Sequence, residues 1–104
     1  MINVLVKANK DNEINYLHVS GHANYSVAGS DIVCAAVSAV MYSTINLLSK
    51  VCPKFEFKED ENKATMEVEI KETNEFTNIA LDNLVETLSS IERDYKKYIK
   101  IKFE

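Results

Sequence analysis

Proline and glycine are nearly missing from this sequence: one proline and two glycines occur in 104 residues, and tryptophan is absent. So few chain breakers leave little room for linkers or disordered segments, and a single domain over residues 1–104 with one core is expected. An excess of positive charge is missing too, since 12 Lys and Arg against 16 Asp and Glu give a net charge of −4. A chain that lives on phosphate contacts is normally basic or carries a basic stripe. The run Lys96, Lys97, Lys100 and Lys102 is short and reads as a solvated face, so no direct nucleic-acid binding is expected. No long apolar leader opens the chain, and no uninterrupted apolar stretch approaches the length of a bilayer; neither a signal peptide nor a membrane contact is expected. Cysteine is scarce as well. Cys34 and Cys52, placed on one helix, stand about 27 Å apart at ~1.5 Å per residue, far beyond the roughly 7 Å that a disulfide allows. Free thiols point to a reducing compartment, and by elimination to the cytoplasm.

What is present is alternation and helical stripes. Residues 2–8 and 14–20 alternate apolar and polar side chains, which predicts a hairpin with a polar turn at Lys10–Glu13. The run from Asp31 to Cys52 is rich in alanine and leucine and stops at Pro53; it predicts a helix that is apolar nearly all round and therefore mostly buried. Phe55 and Phe57 give a short third strand, Lys58–Lys63 a charged turn, and Ala64, Met66, Val68 and Ile70 a fourth strand. A stripe of Phe76, Ala80, Leu84, Leu88, Ile91 and Tyr95 predicts a helix over 75–96, and Ile99, Ile101 and Phe103 a last strand. The order is ββαββαβ. Strands with one apolar face and two apolar helices are satisfied by an α+β two-layer sandwich: a mainly antiparallel sheet with both helices on one face.

The two glycines, Gly21 and Gly29, bracket one loop. Glycine serves where φ is positive, where backbone approaches something closely, or where a loop hinges. Gly21 and Gly29 are therefore candidate loop hinges, and Tyr25 and Val27 between them a candidate lid over an apolar substrate. Cys34 follows in the first turn of the long helix, where free N–H groups and the helix dipole favour a thiolate. His22 lies at the other end of the loop, and a chain reversal there brings its imidazole back to the helix start. A Cys/His pair within reach is the minimum for a thiol nucleophile with its own base. Asp31 and Ser38 share a helix face with Cys34. Asp31 is suited to capping the helix or to orienting His22. Ser38 is suited to the same polar stripe, or to bonding back to the carbonyl of Cys34.

Blander roles compete with each of these. A cysteine in an apolar helix is commonly a small buried hydrophobe, the expectation for Cys52. His18 reads as a surface strand residue. Metal binding would draw on His18, His22, Asp31 and Cys34, but structural zinc wants closely spaced Cys or His pairs that are not here, so no metal site is expected.

Residues 21–40, GHANYSVAGSDIVCAAVSAV, resemble the signature of the ribosomal-processing cysteine proteases called Prp: Gly-His-Ala, a variable loop, then Gly-x-Asp-Ile-Val-Cys-Ala-Ala-Val-Ser-Ala. Gly21, His22, Ala23, Gly29 and the run Asp31–Ala39 meet every fixed position. The resemblance implies a catalytic pair of His22 and Cys34, support from Asp31 and Ser38, and no cofactor. It further implies a homodimer and a mobile loop between the glycines. The implied substrate is the precursor of large-subunit ribosomal protein number twenty-seven, cut after paired phenylalanines. A non-enzymatic ribosome-assembly factor is the alternative, and a hydrolase of another amide or thioester a third reading.

Overall fold

In the computed structural model, which describes residues 1–23, 25–26 and 31–104, the elements are β1 (Ile2–Ala8), β2 (Ile14–Ser20), α1 (Ile32–Val51), β3 (Lys54–Asp60), β4 (Thr65–Glu72), α2 (Glu75–Asp94) and β5 (Ile99–Phe103). The sheet order is β3-β4-β2-β1-β5. β1 pairs with β5 in parallel, and every other neighbour is antiparallel. This is the expected α+β sandwich. Register places Val4 beside Val19 and Ile101, and Val6 beside Leu17. One face of the sheet is thus a continuous apolar layer, and Val33, Val37, Met41 and Leu48 of α1 and Ala80, Leu81, Leu84 and Leu88 of α2 complete a single core against it. The opposite face carries Tyr16, His18 and Glu67, with the Tyr16 hydroxyl donating to Glu67 at 2.5 Å.

Two expectations are corrected. The third strand is not short: β3 has seven residues and the turn begins at Glu61. Its charges mislead because β3 is an edge strand, where charged side chains sit comfortably on the solvent face and discourage further pairing; Lys58 stands opposite Glu67 and Lys54 opposite Glu72. Helix α1 is not mostly buried. Its stripe of Val33, Val37, Met41, Thr44 and Leu48 faces the core, while Ile32 and Leu47 are 52 % and 44 % exposed. A sheet covered on one face by two helices can bury only one side of each. By length and composition α1 is also apolar enough to cross a membrane; here its inner stripe, from Val33 to Leu48, packs into the core.

The caps are local chemistry. Asp31 caps α1, and the Asn74 side chain caps α2 by accepting from Thr77 N at 2.8 Å while its amide donates to Val51 O at 2.8 Å, tying the end of one helix to the start of the other. At the β5 edge, Glu92 of α2 accepts from the Ile101 N–H at 2.7 Å.

Candidate active site

Strand β2 ends at Ser20, and Gly21 turns the chain at φ +90. Only glycine fits: a Cβ there would lie 2.4 Å from the backbone oxygen of Met1. The Gly21 N–H donates to Ala64 O at 3.0 Å, and Ala64 is itself at φ 52 in the β3–β4 turn. Gly21 therefore has a firm reason of its own, close approach of backbone, beside the hinge role expected from sequence. The turn it makes delivers His22 to the surface and Ala23 to the core, where Ala23 is 2 % exposed.

Burying Ala23 aims its backbone N–H at Cys34 Sγ, at 3.3 Å. Cys34 is half-buried and its thiol is free, as is that of Cys52. The Cys34 thiol and His22 line one cleft of about 200 Å³, together with Ser38. Ile2, Val19, Val37 and Met66 supply its apolar lining, and Glu59, Asp60 and Glu61 from the β3–β4 hairpin supply an acidic rim. Among the described residues, no hydrogen bond joins His22 to Cys34, and Ser38 does not bond back to the Cys34 carbonyl, unlike Thr44 and Ser49, which bond to Val40 O and Ile45 O. The Ser38 hydroxyl thus keeps its hydrogen-bonding capacity on the cleft side.

Asp31 takes neither partner side chain. One carboxylate oxygen accepts from Val33 N and Cys34 N, both at 3.0 Å, as a helix cap. The other accepts from Tyr25 N at 3.0 Å and Ser26 N at 3.5 Å. Desolvation pushes its carboxyl up, but the N–H groups of Cys34, Tyr25, Ser26 and Val33 together outweigh that and hold it below the ordinary aspartate range. Asp31 is the knot between helix start and loop, and of its two expected roles the capping one is seen.

Tyr25 does not line the cleft. Its ring meets Tyr95 and Tyr98 edge-on, with centroids at 5.7 Å and 5.0 Å. Val27 and Gly29 lie outside the described residues, as does Ser30. His18 is remote from the cleft, on the far face of the sheet between Leu5 and Glu67. Cys52 caps α1, and its thiol donates to Glu72 O at 3.4 Å. Two turns further along α1 from Cys34, the Tyr42 hydroxyl donates to Glu59, whose acceptance pushes it up to about 12.

Sequence reasoning missed the Ala23 N–H, which as a backbone group has no residue signature, and the acidic rim, which was visible only as a charged turn.

A family model described as cysteine protease Prp matches residues 1–100. The Bacillus subtilis ribosomal processing cysteine protease Prp is 28 % identical, with 97 % of this chain and 96 % of that protein covered. The Mycoplasma genitalium protein of the same name is 33 % identical over 86 % of this chain and 89 % of its own length. A crystal structure of the essential ribosomal processing protease Prp from Staphylococcus aureus, with a covalently linked product peptide, superposes with a TM-score of 0.93 at 24 % identity and full coverage of both chains. With a match along nearly its whole length and a half-buried thiol lining a cleft, the chain belongs to the cysteine protease Prp family.

Proposed function

We propose that the protein is a cytoplasmic endopeptidase that removes the N-terminal extension of large-subunit ribosomal protein number twenty-seven, cutting after paired phenylalanines, with Cys34 as nucleophile and His22 as base. The observation that carries this is that Cys34, whose Sγ accepts from the Ala23 N–H, shares one cleft with His22. In support, relatives over nearly the full length are named for ribosomal processing. The cleft also suits the substrate: an apolar cavity of about 150 Å³ takes a benzene ring, and this one is about 200 Å³ with an apolar lining.

Cys34 Sγ attacks the scissile carbonyl while His22 takes the thiol proton. The tetrahedral intermediate collapses to an acyl-enzyme as His22 returns the proton to the leaving amine, and water then releases the acyl group. His22 closes on Cys34 when peptide binds, since such contacts tighten in the complex. The oxyanion was expected at the N–H groups around Cys34. The Cys34 N–H is already taken by Asp31, so the Ala23 N–H, already aimed at the sulfur, is the donor at hand for the developing charge. Ser38 faces the cleft and serves His22 or the peptide. No cofactor enters this scheme.

A homodimer is part of the same reading; Phe76 and Ile79, three residues apart on α2 and 58 % and 65 % exposed, are apolar surface that a second copy would cover. A non-enzymatic assembly factor has no observation in its favour. The test is incubation with the precursor ribosomal protein and mass measurement. A product shortened at the paired phenylalanines, absent with Cys34→Ala, is expected; an intact precursor would overturn the substrate assignment.

A further inference from the structure

Tyr42 lies two helical turns beyond Cys34 and one beyond Ser38, at the i, i+4, i+8 spacing that lines up one face of a helix. Its hydroxyl donates to the Glu59 carboxylate, and its ring meets Phe57 edge-on with centroids 6.5 Å apart. Glu59 is the next-to-last residue of β3 and lines the cleft with Cys34, His22 and Ser38. Beyond it the hairpin turn contributes Glu61 and Ala64 to the same cleft. One side-chain bridge therefore joins the helix that carries the thiol to the strand that leads into the opposite wall.

We infer that the Tyr42–Glu59 bridge fixes the width of the peptide cleft, which makes Tyr42 a specificity-determining residue. The inference rests on the reading of this cleft as the peptide site. Its physical basis is the position of β3. An edge strand is hydrogen-bonded on one side only; the Gly21 N–H holds the inner end of the turn through Ala64 O, but the outer strand depends on side chains to keep it against α1. Tyr42 ties it twice, by a hydroxyl to Glu59 and by a ring to Phe57. With the tie in place, the side chain before the scissile bond is held between Val37 on the helix and Met66 on the sheet. Without it the wall recedes, and a large aromatic group loses its advantage over a smaller aliphatic one.

The test uses Tyr42→Phe, which keeps the ring on Phe57 and removes the hydroxyl. For a peptide spanning the paired phenylalanines, KM should rise about five-fold, the loss of one ordinary hydrogen bond, with kcat within about two-fold of the parent chain. Preference for phenylalanine over leucine before the scissile bond should fall, while the rate of Cys34 alkylation by iodoacetamide stays the same. Hydrogen exchange at residues 60–65 should quicken. Unchanged KM and unchanged preference overturn the inference, even if the variant melts earlier, and so does a changed alkylation rate, which would mean that the thiol itself was disturbed. Should the parent chain cleave no such peptide, the substrate reading fails on its own; exchange at residues 60–65 then decides, and unchanged protection in Tyr42→Phe overturns the tie.

Discussion

The N–H of Ala23 points at Cys34 Sγ across 3.3 Å, so the residue after His22 and the thiol are joined before any substrate arrives. That contact makes Cys34 a hydrogen-bonded sulfur at the edge of a cleft rather than a mere packing group. Iodoacetamide should therefore alkylate Cys34 faster than Cys52, whose thiol is held by backbone carbonyls. Peptide mapping after timed labelling measures both; equal rates would count against the assignment.

Cys34→Ala should abolish cleavage and leave the fold intact. Alanine is a good helix residue, and the lost sulfur bond to Ala23 costs about 1 kcal/mol. Circular dichroism and a denaturant melt check this, and an unfolded variant would make Cys34 a structural residue.

Gly21→Ala should destabilise by about 1–3 kcal/mol, because it puts a Cβ into the Met1 carbonyl at a positive φ. The turn that shifts is the one that delivers His22, so turnover should fall more than about ten-fold, as for a small misplacement of a catalytic group. Urea unfolding and peptide cleavage, measured side by side, decide whether both effects appear.

Asp31 gives a pH signature. Its carboxyl is lowered in the folded chain, so its contribution to stability is fully present above the unfolded value of about 3.9 and is lost as pH falls through the folded value. The stability gap between the parent chain and Asp31→Asn should be constant at neutral pH and shrink below about pH 4. A gap that does not change with pH would mean that the charge is irrelevant to the cap and the loop.

Tyr25 should couple to Tyr95 and Tyr98. In a double-mutant cycle of Tyr25→Leu with Tyr98→Leu, an interaction energy of about 0.5–1.5 kcal/mol is expected for an edge-on aromatic pair. Additive effects would show that the ring contact holds nothing. The loop reading makes a further demand: hydrogen exchange across 22–30 should slow when peptide binds, and unchanged protection by a bound peptide would sink the lid role of Tyr25 and Val27.

Much of this was readable because the local signals and the fold agree. In β1 and β2 the apolar residues alternate, and the face they define is the buried one. Pro53 stops α1 where it should, and Asp31 caps it. The misreadings have tertiary causes. Lys58, Glu59 and Asp60 look like a turn until an edge position explains their charge. Ile32 looks like core until α2 takes its share of the sheet. The contacts of Tyr25 with Tyr95 and Tyr98 span some seventy residues, and the tie of Tyr42 to Glu59 crosses from helix to strand, so neither leaves a local pattern. The Ala23 N–H, being main chain, leaves none at all.

The bond from Glu92 to the Ile101 N–H has a consequence for behaviour in concentrated solution. β5 is one rim of the sheet, and a rim with free donors recruits strands from other molecules. Here a carboxylate from the neighbouring helix already occupies the donor, and the other rim, β3, is studded with Lys54, Glu56 and Lys58. Side chains thus blunt both margins, at Ile101 on one and along β3 on the other, so the molecule can present a groove to extended peptides while discouraging its own edges from pairing.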